Sequence, residues 1–476
     1  MPNERCAMKD RMLFRRCALF VATLCIALGT AGCASTRPWS NAALAAQETV
    51  QYDGLAQLFD SSRLPDVLVV ANFSGGGSRA AAFAHAVLSE LDAAPFVWRG
   101  QETTLAREID MVTGVSGGSV AAAHLALHGA REHLRRFPAE FLQVDFQGRL
   151  VSAALSPRNL YRLSSPWYGR GHVLAEELDD ALFKATTFGQ LAQFKGRPYL
   201  IIGATDLSTG AEFNFTSDRL ALLCSSIDHV PLAVAVASSS AVPVLFSPLT
   251  LQNHSEGCAQ RPRTGPGGSA AAADPARVRL VKGEFESMAG GRRQFIHLVD
   301  GGLSDNLGAR RLTDYVAKAG GIGAVMSMLG LGQSQSTPLP RRIVLISVNS
   351  ESSDGLPIDH SGAVPGTVDA LGAMIFGGLG RSSKETSLVL SDAVEQWRKE
   401  LRSDPRWAAE SQADIFSIEI KLTDLDDSTL RTQVLEIPTA FRVSEEDRNL
   451  LRLAARHSLD RSAEYRRFLK SVPAMP

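Results

Sequence analysis

Residues 108–127 read Glu-Ile-Asp-Met-Val-Thr-Gly-Val-Ser-Gly-Gly-Ser-Val-Ala-Ala-Ala-His-Leu-Ala-Leu. The apolar start of this stretch predicts a short strand, and its alanine-rich end predicts a helix. Between them Ser116 is flanked by glycines, as in the G-x-S-x-G turn that exposes a serine hydroxyl between a strand and a helix. Backbone amides and the helix dipole would stabilise negative charge at that position. The motif alone is equally compatible with a plain connecting turn.

A second predicted strand–turn–helix unit comes earlier in the chain. Residues 67–73 form a continuous apolar run, which is typical of a buried parallel strand. Gly75, Gly76 and Gly77 follow, and Arg79 stands at the start of the next predicted helix. Consecutive glycines allow amides to converge on one oxygen, which is the geometry of an oxyanion hole. The alternatives are a flexible loop or a phosphate-binding turn, but neither nucleotide-binding fingerprint is present.

A third glycine-rich turn, Asp300-Gly301-Gly302, follows a predicted strand at 294–299. Ligands of parallel α/β sheets gather at the carboxyl ends of strands, where we expect all three motifs to lie. Asp300 would then serve as the base that a serine nucleophile needs. The alternative is a turn aspartate that bonds its own backbone. Taken together, the motifs predict a three-layer α/β fold with a mostly parallel central sheet.

The three motifs resemble those of the patatin-like phospholipases, which are serine acyl hydrolases with a Ser–Asp dyad. Two further segments look similar to the family, Ala-Ser-Ser-Ser-Ala-Val-Pro at 237–243 and Ala-Thr-Asp-Leu-Ser-Thr-Gly at 204–210. The resemblance covers residues 65–350, which it implies are the catalytic domain. Two departures are Ala80, where the family usually has glycine, and the long segment between 237–243 and the aspartate.

The resemblance also implies a role for each site residue. Ser116 is the nucleophile and Asp300 its base, and the amides of residues 75–77 form the oxyanion hole with Arg79 near it. The implied substrate is a lipid ester, and the implied reaction needs no metal or organic cofactor. We therefore expect a phospholipase A-like or lysophospholipase-like hydrolase.

The first 32 residues indicate export rather than part of the fold. Basic residues at 9–16 precede an apolar run at 17–32, which has the length of a signal peptide and is short for a spanning helix. The run ends in Thr-Ala-Gly before Cys33, which resembles a bacterial lipobox and implies lipid on that cysteine. The residue after the cysteine, Ala34, resembles outer-membrane lipoproteins. The alternative is an uncleaved anchor; residues 33–64 would form a tether and a first helix.

The remaining cysteines are compatible with export. Of the six cysteines, three lie in the predicted leader and one is Cys33, which leaves Cys224 and Cys258. In an oxidising compartment these two could form a disulfide, or they could remain unpaired thiols. No Cys/His spacing suggests a zinc site, and no metal is expected.

The overall composition and two unusual segments give further expectations. A net charge of −1 with 21% charged and 45% hydrophobic residues gives no reason to expect nucleic-acid binding. Residues 254–293 predict an insertion that is either a solvent loop or a lid. Residues 364–380 are apolar and interrupted by glycines, which suits an acyl pocket, a membrane contact or a core helix. Residues 351–476 are expected to pack on the catalytic domain.

Two rival functions remain open from the sequence. His360 lies after Asp300 and would suit an α/β-hydrolase with a Ser–Asp–His triad. A non-catalytic envelope lipoprotein that binds a partner could keep the same fold, although the presence of both Ser116 and Asp300 argues against it.

Overall fold

The computed structural model describes residues 38, 41–45, 67–98, 100–194, 196–258, 283–284, 286–288, 292–328, 331, 340–351, 358, 362–405 and 414–472. The predicted leader at 1–32, Cys33, His360 and most of the predicted insertion at 254–293 lie outside the described residues.

The strands of the described residues form a large mixed sheet and a separate hairpin. They are β1 (Val67–Phe73), β2 (Phe96–Trp98), β3 (Gln101–Thr103), β4 (Ile109–Val115), β5 (Tyr199–Asp206), β6 (Glu212–Phe215), β7 (Leu249–Gln252), β8 (Phe295–Asp300), β9 (Arg342–Asn349) and β10 (Asp414–Lys421). The large sheet has the order β10-β9-β1-β4-β5-β8-β7, and β6 also pairs with β5. Strands β2 and β3 form the hairpin.

The centre of the sheet is parallel, and one edge is antiparallel. Strands β10, β9, β1, β4 and β5 run parallel to one another, whereas β6 and β8 run antiparallel to β5, and β8 also runs antiparallel to β7. Asp300 lies at the carboxyl end of its strand, as expected, but this strand belongs to the antiparallel edge of the sheet. Asp300 still reaches the site because β8 ends opposite Ala204, one residue beyond the Val115–Gly203 pair that closes β4 against β5.

Helices occupy most of the connections between these strands. They are α1 (Gly77–Asp92), α2 (Gly117–Phe137), α3 (Phe146–Ala154), α4 (Pro157–Arg162), α5 (Arg170–Leu178), α6 (Phe188–Leu191), α7 (Ser217–Leu222), α8 (Leu232–Ser239), α9 (Gly302–Asp305), α10 (Arg310–Ala319), α11 (Ile322–Met328), α12 (Thr367–Ser403), α13 (Ser428–Leu435), α14 (Glu445–Arg461) and α15 (Ala463–Ser471). Single π-helical turns follow α2 and α5, at Pro138–Leu142 and Asp179–Phe183.

The sheet lies between two apolar layers, because successive side chains of a strand point to opposite faces. Val69 and Ala71 of β1 join the larger core, which includes apolar residues of α1, α2 and α14. Leu68 and Val70 join the second core, which includes residues of α10, α11 and α12. Helices thus cover both faces of a mostly parallel sheet, which confirms the predicted three-layer fold.

The C-terminal part of the chain shares this sheet and core. Strand β9 pairs along the full length of β1, and β10 pairs along the full length of β9. Leu451 of α14 and Phe468 of α15 are fully buried in the larger core. The region after residue 350 therefore contributes a strand and core side chains, besides packing on the outside of the catalytic domain.

The apolar segment at 364–380 forms the first third of the long helix α12. Met374 is 75% exposed and Leu371 is 42% exposed, which excludes the core-helix alternative for these two side chains. An acyl pocket or a membrane contact stays a prediction. Among the described helices, none combines the length and the apolar composition that crossing a bilayer requires.

Candidate active site

Ser116 stands in a strained turn between β4 and α2. Its backbone has φ 49° and ψ −127°, a conformation that a residue with a side chain seldom adopts. The glycines that follow allow two chain segments to touch the turn. A Cβ atom at Gly117 would lie 1.8 Å from the carbonyl oxygen of Gly77, and one at Gly118 would lie 2.4 Å from that of Phe73. Glycine is therefore required on the helix side of the serine.

Ser239 fixes this turn from the neighbouring segment. The backbone N–H of Ser116 donates to the Ser239 hydroxyl at 2.8 Å, and that hydroxyl donates to the carbonyl oxygen of Gly203 at 2.5 Å. The Ser119 hydroxyl donates to the carbonyl oxygen of Ser116 at 2.6 Å. The backbone amide of the predicted nucleophile is thus engaged in holding the turn. The 237–243 segment, known from the sequence only as a resemblance, supplies that support.

Asp300 is buried beside Ser116, with 3% of its surface exposed. Its Oδ1 atom accepts from the Gly302 N–H at 2.9 Å, and its own backbone N–H donates to Ala241 at 3.0 Å. Burial raises the pKa of Asp300 to about 6, while hydrogen bonding with the Ser116 hydroxyl and the Gly302 amide acts in the opposite direction. The structure thus brings together the two residues of the predicted dyad.

The second carboxylate oxygen of Asp300 is available. Among the described residues, Oδ2 has no partner at full hydrogen-bond geometry, although the Ser116 hydroxyl is close enough to lower the pKa of Asp300. No full hydrogen bond joins this oxygen to Ser116 within the described residues. Nucleophile–base contacts often have this geometry before substrate binds.

The glycine loop at 75–77 contacts the serine turn. A Cβ atom at Gly75 would lie 3.3 Å from the Cβ atom of Ser116 and 2.3 Å from the Oδ1 atom of Asn306. Gly76 and Gly77 have φ values of 139° and 60°, which favour glycine. The Gly75 N–H donates to the carbonyl oxygen of Asn306 at 3.0 Å and is not available to a ligand. Within the described part of the chain, the amides of Gly76 and Gly77 have no backbone acceptor.

Arg79, at the start of α1, connects the glycine loop to two distant chain segments. It is buried, with 3% of its surface exposed, and its guanidinium donates to the carbonyl oxygens of Ser350 at 3.1 Å and of Ile437. Burial lowers the pKa of Arg79 to about 10, against the opposing attraction of Glu351. The side chain binds two distant chain segments to the loop.

The residues that hold the loop were not found from the sequence. Asn306 accepts from Gly75 through its carbonyl oxygen and donates from Nδ2 to the Ser383 hydroxyl at 2.8 Å. The carbonyl oxygen of Ala440 accepts from the Ser78 N–H at 2.7 Å. Asn306 lies four residues after Gly302 of the third motif, which is a usable signal. Ala440 carries no polar side chain, so nothing in the sequence marks it.

The 204–210 segment has a structural role in this site. Asp206, which is fully buried, accepts from the two terminal nitrogens of Arg293 at 2.6 and 2.7 Å. Its Oδ1 atom also accepts from the Ser208 N–H at 3.1 Å, which closes the turn after β5. Bidentate arginine–carboxylate pairs are strongly directional, so this pair fixes the turn against the strand that leads to Asp300.

The remaining residues of interest are two histidines and three cysteines, some of which lie outside the described residues. His297 is exposed on β8, and its Nδ1 atom lies 2.9 Å from the Thr250 hydroxyl oxygen. Cys224 takes part in a disulfide, whereas nothing is described of the Cys258 side chain, so their pairing stays a prediction. Cys33 and His360 fall outside the described residues.

The family model of the patatin-like phospholipases matches residues 73–313, just over half of the 476 residues. No curated protein matches the chain with significant similarity. Solved structures with similarity to the chain include VipD from Legionella pneumophila, with 12% identity and a TM-score of 0.30 over 84% of this chain and 66% of that one.

Another is human GIVD cytosolic phospholipase A2, with 12% identity and a TM-score of 0.39 over 89% of this chain and 65% of that one. The ExoU–SpcU complex of Pseudomonas aeruginosa gives 15% identity and a TM-score of 0.24 over 85% of this chain and 71% of that one. The chain spans less than two thirds of the length of the first two. The family match includes the serine turn and Asp300, and the chain belongs to the patatin-like phospholipase family.

Proposed function

We propose that this protein is a serine acyl hydrolase that cleaves ester bonds of lipids, with Ser116 as nucleophile and Asp300 as base. The observation that carries the proposal is the pairing of a serine in a strained turn with a buried carboxylate that has one oxygen unclaimed by the described residues. The family match supports a lipid ester as the substrate.

The geometry supports a two-step acyl transfer. Asp300 Oδ2 accepts the hydroxyl proton of Ser116 as the serine oxygen forms a bond to the ester carbonyl carbon. The carbonyl π electrons move to the oxygen, which becomes an oxyanion. When the oxyanion collapses, the bond to the alcohol breaks and Asp300 returns the proton to the leaving oxygen. Water then repeats the sequence on the acyl-serine and releases the fatty acid.

The amides of Gly76 and Gly77 are the donors that we assign to the oxyanion. Their N–H groups have no backbone acceptor in the described part of the chain, whereas the amides of Gly75 and Ser116 are already engaged. Donors fixed in place before the reaction stabilise the charge without reorganising, and one such donor contributes about 2.7–4 kcal/mol in comparable enzymes. Two donors would therefore supply a large share of the rate enhancement.

A fluorophosphonate probe tests the nucleophile directly. We expect stoichiometric labelling of the wild-type protein, with the adduct on Ser116 by peptide mass spectrometry, and no labelling of Ser116→Ala. Ser239 and Ser78 are the internal controls because both are buried close to the turn. An adduct on either of these serines, or a folded wild-type protein that neither labels nor hydrolyses a short-chain ester, would contradict the proposal.

We also propose that the enzyme is anchored in the cell envelope by lipid on Cys33. The support is the sequence alone: basic residues, a short apolar run and a cysteine at 33. A single acyl chain binds membranes weakly, whereas two or more hold a protein firmly. Cys33→Ser should leave the precursor uncleaved or release the protein to the soluble fraction, as judged by fractionation and immunoblotting. Normal processing and membrane retention of Cys33→Ser would exclude the lipid anchor.

A further inference from the structure

Helix α2, which begins after Ser116, changes direction at Gly129. Gly129 has φ 73° and ψ 166°, so the helical path is broken there. In an unbroken helix His124 and His133 would be separated by about 13 Å along the axis, at 1.5 Å per residue. Instead their Nδ1 atoms lie 3.1 Å apart. The break at this glycine therefore folds the end of the helix back onto its middle.

The refolded chain gathers three side chains that bind metals. His124 and His128 lie four residues apart on one helical face, and Glu140 follows in the π-helical turn after α2. One ligand atom from each lies within 4.8 Å of the other two. The Nε2 atom of His124 is 3.1 Å from Oε2 of Glu140. Ligands that share one Zn²⁺ are about 3.3 Å apart, given bonds of about 2.0–2.2 Å, so small side-chain rotations would complete the site.

A second observation supports the histidine geometry. In protein metal sites the second ring nitrogen of a ligating histidine usually bonds to a neighbouring group that fixes the ring. His124 has this arrangement, since Nε2 faces Glu140 while Nδ1 contacts the fully buried His133.

We propose that His124, His128 and Glu140 bind a divalent transition-metal ion, with Zn²⁺ as the best chemical fit. Two imidazoles and one carboxylate form a known zinc ligand set, with water or another group in the fourth position. The sequence alone did not suggest this site, because the His-x-x-x-His spacing becomes informative only with Glu140 beside it. The ion would fix the end of the helix that carries Ser116, as a structural element rather than a catalytic one.

Arg136 contacts two of the three proposed ligands and would compete with the metal for them. Its Nε atom donates to Glu140 Oε1 at 2.8 Å, and a terminal nitrogen lies 3.2 Å from His128 Nδ1. The arginine side chain is 37% exposed, so it can move toward solvent when a metal ion replaces its contacts with Glu140 and His128. Removing its charge should strengthen metal binding. This opposite sign separates a metal site from a purely structural hydrogen-bond network.

Isothermal titration of the full-length protein with ZnCl₂, together with the visible spectrum of the Co²⁺ form, tests the proposal. We expect one site that Glu140→Gln and His128→Ala weaken by at least about 10-fold, and that Arg136→Gln strengthens. Glu132→Gln is the matched control, since Glu132 pairs with Arg135 on the exposed side of the helix and should leave affinity unchanged. Glu140→Gln keeps the size of the side chain and one oxygen that can still accept from Arg136, so folding should survive.

Cysteines elsewhere in the chain are the main competing ligands, and the cobalt spectrum distinguishes them. Nitrogen and oxygen ligation gives weak visible bands, whereas thiolate ligation adds an intense near-ultraviolet band. The proposal is supported if Zn²⁺ raises the thermal unfolding midpoint of the wild-type protein and of Glu132→Gln but not of Glu140→Gln. Equal Zn²⁺ affinity in the wild-type and Glu140→Gln proteins would overturn the proposal. A thiolate band in the Co²⁺ spectrum that persists in both Glu140→Gln and His128→Ala would also overturn it. Hydrolysis is not part of the readout, so failure here leaves the proposed hydrolase untouched.

Discussion

The β1–α1 and β4–α2 connections have the same local architecture, but their turns present different chemical groups. Each is a buried parallel strand followed by a tight turn and a helix. At the first turn Gly76 and Gly77 have positive φ values and present backbone amides without an acceptor among the described residues. At the second turn a serine has the positive φ, and its amide is bonded to Ser239. One turn therefore offers donors, and the other offers a hydroxyl.

The two turns also differ in what holds them. The serine turn is fixed by Ser239 and Gly203, both of which lie within the segment that matches the family. The glycine loop is held by Asn306 from within that segment, but also by Ser350, Ile437 and Ala440, which lie beyond it and of which the first two are contacted by Arg79. The nucleophile should thus tolerate changes in the C-terminal part of the chain better than the oxyanion donors do.

Removing the hydroxyl of the serine turn should have the largest effect. Ser116→Ala deletes the attacking atom, so kcat should fall by about 10⁴–10⁶-fold on a short-chain ester. The turn itself should persist, because its hydrogen bonds involve the backbone of residue 116 and not its side chain. Circular dichroism and thermal unfolding should match wild type. A folded Ser116→Ala enzyme with more than a few per cent activity would exclude this nucleophile.

Removing the base should cost almost as much, because nucleophile and base act as one unit. Asp300→Asn keeps the shape and can still accept from the Gly302 amide, but it cannot take a proton. We expect kcat to fall about 10⁴-fold. His297→Ala and His360→Ala are the controls and should remain near wild type. A comparable loss in folded His360→Ala would favour a Ser–Asp–His triad over the dyad.

Filling the glycine loop should have a smaller effect, confined to the transition state. In Gly76→Val the Cβ atom would lie 2.6 Å from the Ser350 hydroxyl at a φ of 139°. The loop must shift, and turnover should fall about 10²–10³-fold for each donor lost, with little change in KM. Gly210→Val is the matched control, since Gly210 also has a positive φ but no neighbour within 4 Å of an added Cβ.

If both valine variants fold and steady-state kinetics show full activity, the glycine loop at 75–77 is only a connector. If both lose activity equally, backbone strain rather than lost donors explains the defect. Only a selective loss in Gly76→Val, expressed in kcat, supports the division of roles between the two turns.

The raised pKa of Asp300 should be visible in the pH dependence of kcat/KM. The base must be ionised, and burial raises the pKa of Asp300 to about 6. The kcat/KM of wild type should therefore fall about 10-fold per pH unit below that value. A profile that is flat from pH 7 to pH 4.5 would contradict Asp300 as the base.

Ionisation of Asp300 should have the opposite effect on stability: it increases activity but lowers the free energy of unfolding. The folded-state pKa lies above the ordinary value of 3.8, so the favourable contribution is fully present below pH 3.8 and is lost as pH rises through about 6. At pH 7 Asp300→Asn should therefore unfold at a higher temperature than wild type, although it is inactive. Scanning calorimetry at pH 5 and pH 7 should show the gap between the two proteins widen with pH.

The sequence predicted the parts of the site that repeat a local pattern. The β1 bounds match the predicted strand at 67–73, and both helices begin at their glycine turns. It did not predict that β8 runs antiparallel, because strand direction depends on pairing with distant β5 and β7. It also assigned a donor role to Gly75, whose amide is engaged by Asn306. Local propensity cannot reveal which amides a distant segment will occupy.

Arg79→Ala should give the smallest of these effects on turnover. It tests whether the C-terminal contacts of Arg79 hold the glycine loop in position. The substitution leaves the carbonyl oxygens of Ser350 and Ile437 without their buried donor, while Gly76 and Gly77 remain intact. An unsatisfied buried group costs about 1–3 kcal/mol, so the unfolding midpoint should drop. Because the loop is loosened but not blocked, kcat should fall only about 10-fold. Fluorophosphonate labelling of Ser116 should slow by a similar factor.

Arg149→Ala is the control for losing an arginine, since Arg149 forms an ion pair with Glu177 that is partly exposed to solvent. That pair should contribute at most about 1 kcal/mol and leave turnover unchanged. The informative outcome is the pattern in kcat against KM. If Arg79 only stabilises the fold, activity per folded molecule should equal wild type once stability is accounted for. If it positions the oxyanion donors, as its contacts with two C-terminal carbonyls indicate, the kcat defect should persist well below the unfolding transition.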